Sequence, residues 1–131
     1  MQINYLAIFA ATLASYVLGS LWYMALGRPW RQAQGWAETG TPYRPPAIAL
    51  VVAFVAQLAM AAAMAGLLAH MGGAGVRTGL ISGAIIWFGF VLPSLATNVV
   101  FQRRNPLLIA IDGGHWLLVL LAIGGLLGAF G

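Results

Sequence analysis

In the stretch AIDGGHWLL, residues 110–118, a carboxylate and an imidazole stand three positions apart inside an apolar run. Asp112 is one of only two acidic residues; the other, Glu38, falls in a polar segment. On a helix this spacing sets the two side chains about 60° apart, on one face. Such a pair can share a proton, hold a small polar solute, or serve as general acid and base. One carboxylate and one histidine are too little for an enzyme. No nucleophile elbow, phosphate loop or acidic metal cluster accompanies them, so the chain reads as non-catalytic. His70 and His115 fall about 18 Å apart in depth across a bilayer and cannot share a metal. No metal site or cofactor is implied; a haem on one axial histidine is the reading left open.

The elements that position these residues follow from composition. Of 131 residues, 62% are hydrophobic and 6% charged, whereas a soluble domain carries about a quarter charged residues. Most of the surface must therefore face lipid. There is no cysteine, which excludes disulfides and thiolate chemistry. The net charge of +4 comes from six arginines and no lysine. They sit in short segments between apolar runs, the pattern of membrane orientation rather than of nucleic-acid binding.

Four apolar runs each reach the roughly 20 residues that a helix needs to cross a bilayer: residues 5–26, 47–69, 78–101 and 107–130. The expected fold is all-α, a single polytopic four-helix bundle whose partner is the lipid bilayer. Residues 27–46 carry Arg28, Arg31 and Arg44, and residues 102–106 carry Arg103 and Arg104, against Arg77 alone in the middle loop. The positive-inside rule then places both arginine-rich loops in the cytoplasm and both termini outside. Within the first loop, Pro29 suits the first position of a short interfacial helix bearing Trp30, Ala33 and Ala37 on one stripe; an irregular loop with interfacial tryptophans is the alternative.

This topology brings Ser20 and Tyr23, at the inner end of the first span, and Thr97 and Asn98, at the inner end of the third, near the depth of Asp112 and His115. These six residues form a candidate polar layer for a proton or an unidentified small ligand. Three readings of Asp112 stand. It ties helices, held by Asn98, Thr97 or an arginine of QRR; it titrates with His115 in a site open to the cytoplasm; or it caps a span that starts later, aspartate being a favoured N-cap. Asn105-Pro106 is a competing start signal for that span.

Other features bear on packing. Gly75, Gly79 and Gly83, Gly124 and Gly128, and on the second span Ala59 with Ala63 and Ala62 with Gly66, recur at the four-residue spacing that lets helix backbones approach. Gln57 is suited to an interhelical hydrogen bond. Pro93 removes one backbone bond from the third span and favours a kink there. Four short helices leave little room for an enclosed cavity, so a homo-oligomer or a larger membrane complex is expected.

LGSLWY (18–23), LGRPW (26–30), WFGFVLPSLATNVVFQRR (87–104) and IDGGHWLL (111–118), with the spacing between them, resemble the bacterial membrane family catalogued as domain of unknown function 1761. The resemblance covers nearly the whole chain. It implies a small four-helix membrane protein, which with the arginine distribution points to the bacterial inner membrane. That family has no established activity, so the resemblance assigns no role to any residue.

Overall fold

Asn4 is extended, and its side chain accepts the amide of Ala7 at 3.0 Å, the N-cap bond that starts α1 (Tyr5–Gln34). The structure is a computed structural model and describes residues 3–37, 40, 43–73 and 75–130. α1 does not stop at Leu26. It runs through Pro29 to Gln34 and ends at Gly35, left-handed at φ 80°, with Trp36 N–H returning to the Arg31 carbonyl at 3.2 Å. The segment expected as a separate interfacial helix is thus the last turns of α1, with Ala37 beyond its end and exposed. Trp30 and Ala33 on this extension pack with Leu95, Val99, Leu108 and Ile109 in a small second core. That burial offsets the backbone bond Pro29 cannot make.

The other helices are α2 (Ala47–His70), α3 (Val76–Phe101) and α4 (Leu107–Phe130). All four are long and apolar enough to cross a membrane, and no strand occurs among the described residues. α4 begins behind Asn105, whose side chain accepts the Leu107 amide at 2.9 Å. Asp112 therefore lies in its second turn and is not its cap. α3 changes register before Pro93: residues Trp87–Val91 form a π-helical turn in which Leu92 N–H reaches the carbonyl of Trp87. The wider turn is how the helix absorbs a residue with no N–H to donate. Ser94 adds a hydroxyl bond of 2.6 Å to the Phe90 carbonyl, supplying the exposed turn with a further partner.

α4 is the centre of the bundle. In its most apolar stretch 44% of residues are buried, against 33% for α1, 17% for α2 and 6% for α3. The main core gathers Ala7, Ile8 and Ala11 of α1, Ala61, Met64 and Leu68 of α2, and Val119, Leu120, Ile123 and Leu127 of α4. Against α3 the packing is of a different kind. A Cβ on Gly79 would stand 1.8 Å from the Gly124 carbonyl oxygen, one on Gly83 2.6 Å from that of Leu120, and one on Gly128 2.2 Å from that of Gly75. The order of these pairs makes α3 and α4 antiparallel, and Gly75 N–H donates across the seam to Gly128 at 2.8 Å. Gly75, Gly79, Gly83, Gly124 and Gly128 are thus spent within the chain, while Ala59, Ala62 and Ala63 on α2 are exposed. α1 is antiparallel to α4 as well, so the start of α1 and the end of α4 lie at one end of the bundle. At the other end Arg104 of the α3–α4 loop hydrogen-bonds Gln34 of α1.

Because backbone atoms face Gly79, nothing there can yield to a side chain. Gly79→Ala is expected to open the seam and cost more than about 2 kcal/mol. Gly66→Ala, with no atom within 4 Å of the new methyl, is expected to stay within about 0.5 kcal/mol of the parent. Reversible unfolding in bicelles compares the two.

Candidate functional site

The stretch AIDGGHWLL faces α1 and α3 at once. Ile111 and Gly113 offer their carbonyls to two indoles: Trp22 of α1 donates to Ile111 at 3.0 Å, and Trp87 of α3 donates to Gly113 at 2.8 Å. A buried indole N–H must find an acceptor, and in lipid the only plentiful acceptors are backbone carbonyls of a neighbouring helix. Reaching them requires that the neighbour lack a side chain at the point of approach. A Cβ on Gly114 would lie 2.6 Å from the Trp22 ring, and one on Gly19 would lie 2.6 Å from His115 Nε2. The two helices exchange side chains across these glycines: Trp22 enters over Gly114, and His115 enters over Gly19.

Tyr23 stands beside this exchange. Its hydroxyl donates to Asp112 Oδ1 at 2.5 Å, and its ring lies 4.7 Å from the His115 imidazole. His115 is 6% exposed, packs edge-on against Trp116 at 4.6 Å, and its Nδ1 is buried without a hydrogen-bond partner. The site is therefore a hydrogen-bonded Tyr23–Asp112 pair with the imidazole packed at a tilt of 44° against the phenol. From Tyr23 an aromatic column continues outward through Trp30 at 5.9 Å to Trp36 and Tyr43.

Of the six polar-layer residues, the structure brings together Tyr23, Asp112 and His115. Ser20, Thr97 and Asn98 are exposed. Ser20 bonds the Tyr16 carbonyl and Thr97 the Pro93 carbonyl, each at 2.8 Å and each within its own helix. Hydroxyls of this kind need no interhelical partner, since the carbonyl one turn back serves. Trp22 stands at the expected level of the polar layer but, like Trp87, is not among its six residues, although an indole N–H in an apolar run is itself a signal that an acceptor lies across the interface. Gln57, buried at mid-span, receives the Ser15 hydroxyl at 2.8 Å and ties α2 to α1. Among the described residues no group of three metal-ligating side chains converges.

Fold and site together define a helical protein of the membrane-spanning type, with four antiparallel spans and a polar tie between α1 and α4. The chain belongs to the family described as Protein of unknown function (DUF1761), whose model matches residues 6–128. No curated protein and no solved structure matches it.

Adjacent glycines in this stretch do different things, and substitution separates them. Gly114→Ala must expel the Trp22 ring and break its bond, an expected loss of about 2–3 kcal/mol. At Gly113 a methyl would meet its neighbours at 3.6–3.9 Å, ordinary contact, so Gly113→Ala is expected to cost under about 1 kcal/mol. Unfolding in bicelles gives both values, and adding Trp22→Ala to Gly114→Ala should cost less than the sum of the singles.

Proposed function

We propose that the protein is a non-catalytic helical bundle acting as an oligomer or as an accessory, scaffolding subunit of a membrane assembly. The observation that carries this reading is the use made of Asp112. The one carboxylate inside the spans is bonded to Tyr23 of α1, and the indoles of Trp22 and Trp87 are bonded to backbone carbonyls of α4. These three polar side chains are thus spent on holding helices together. The broad apolar faces of α2 and α3 point away from the core and are available to lipid or to neighbouring subunits.

One observation favours a second reading, a small permease or ligand-binding protein: the buried, unpartnered Nδ1 of His115, whose ring lies against Tyr23, the partner of Asp112. Buried polar atoms without partners are uncommon and often belong to functional sites. Two variants separate the readings. With Asp112→Asn, and separately with His115→Gln, thermal stability and pH-dependent solute uptake are measured in vesicles. Loss of stability with no uptake to lose is expected of the scaffold. A stable fold that has lost an uptake activity present in the parent would support the permease instead.

The orientation belongs to the same proposal: an inner membrane, both termini outside, and Arg28, Arg31, Arg44, Arg103 and Arg104 in the cytoplasm, as the positive-inside rule requires. The absence of native cysteine makes the test simple. In intact cells a membrane-impermeant maleimide is expected to label Met71→Cys, in the turn after α2, and to spare Ala37→Cys. The reverse pattern would invert the topology.

A further inference from the structure

α3 ends in a way that the fold alone does not call for. Arg103 N–H bonds the Val100 carbonyl at 3.1 Å and Arg104 N–H bonds that of Val99 at 3.0 Å, the paired bonds of a Schellman ending. The residue in the left-handed position of such an ending is usually glycine, because a Cβ is disfavoured there. Here it is Arg103, at φ 55°, the one non-glycine residue with positive φ among the described residues. The chain uses glycine freely, 17 times, and left-handed glycines already stand at Gly35 and Gly72. Arg103 is exposed, so packing does not explain it.

Its surroundings do. Arg104 is held on the neutral amide oxygen of Gln34, which brings the α3–α4 loop against the end of α1 that carries Arg31 without neutralising either guanidinium. Arg44 is exposed next to Tyr43, whose ring packs on Trp36 at 5.3 Å and Trp30 at 5.9 Å. Tryptophan and tyrosine gathered at a span end settle at headgroup level, the level at which lipid phosphates lie. Of the two carboxylates in the chain, Asp112 is bonded to Tyr23 inside the bundle, and Glu38 lies outside the described residues.

We propose that Arg103, with Arg44, Arg31 and Arg104 at the same end of the bundle, binds the phosphates of anionic phospholipid headgroups there, and that Arg103 occupies a position suited to glycine because of this contact. Guanidinium matches phosphate oxygens in a two-pronged geometry that an ammonium cannot supply. Basic groups at a bilayer surface draw anionic lipids electrostatically. The alternative is that Arg103 only complements the helix dipole, for which a cation at a helix C-terminus is favourable. The two explanations differ in sign when the arginine becomes glycine.

The full-length protein is reconstituted in phosphatidylcholine nanodiscs with and without phosphatidylglycerol. Thermal stability is recorded, together with the preference of spin-labelled phosphatidylglycerol over phosphatidylcholine for the protein boundary. For Arg103→Gly the expected result is a Tm in pure phosphatidylcholine equal to or above the parent's, with the phosphatidylglycerol preference about fivefold weaker. Arg103→Asn, whose side chain tolerates left-handed backbone, should lose the same preference, and Arg77→Gln at the opposite end should keep it. A lower Tm for Arg103→Gly in phosphatidylcholine with undiminished lipid preference would overturn the proposal in favour of the dipole. So would inorganic phosphate abolishing the preference at unchanged ionic strength, since the site would then take free phosphate.

Discussion

Lipid tails are as apolar as leucine, so burying apolar side chains gives these helices little reason to leave lipid for one another. Association must come from dense packing and from hydrogen bonds, and both require backbones to come close. α4 meets this constraint by removing its own side chains where neighbours arrive. Gly124 and Gly128 admit the backbone of α3, and Gly114 admits the indole of Trp22. α1 and α3 reciprocate with Gly19 for His115 and with Gly79 and Gly83 for the α4 carbonyls. The rest of the structure hangs on this rail. α1 and α3 flank α4, α2 fills the remaining angle through Gln57 and the Met64 and Leu68 side chains, and the outer faces are left to the bilayer.

Seen this way, the polar residues of IDGGHWLL are consequences of close approach. Once the helix backbones are near, the α4 carbonyls are within reach of the tryptophans of its neighbours, and the Asp112 carboxylate is within reach of the Tyr23 phenol. A carboxylate bonded to a hydroxyl has exchanged part of its hydration for a strong local bond, which is what permits it one and a half turns into a span. His115 is the exception, packed against Gly19, Tyr23 and Trp116 with Nδ1 unpartnered.

Much of this was legible in the sequence. Four apolar runs of spanning length, the shared helix face from which Asp112 and His115 each meet Tyr23, and the glycine spacing at 75–83 and 124–128 all follow from residue types and helical period. What could not be read is the rotation of each helix about its axis. Depth alone made Thr97 and Asn98 as good partners for Asp112 as Tyr23, and only packing turns α3 so that Trp87 faces α4 while Thr97 and Asn98 face outward. The continuation of α1 through Pro29 was hidden for a related reason. It depends on Trp30 and Ala33 finding Val99 and Leu108, residues 66 to 78 positions away, and no local signal encodes that meeting.

The seating of α4 on α3 by direct backbone contact is open to one direct measurement. A Cβ on Gly124 would be 3.5 Å from the Gly79 Cα, so the two Cα atoms lie within about 5 Å once the 1.5 Å bond is added. Magic-angle-spinning NMR of the ¹³C-glycine-labelled protein in bilayers is expected to give a Cα–Cα correlation between Gly79 and Gly124, residues 45 apart in the chain. Its absence, in a spectrum that resolves the correlation between the adjacent Gly124 and Gly125, would contradict the packing on which the rest of the bundle depends.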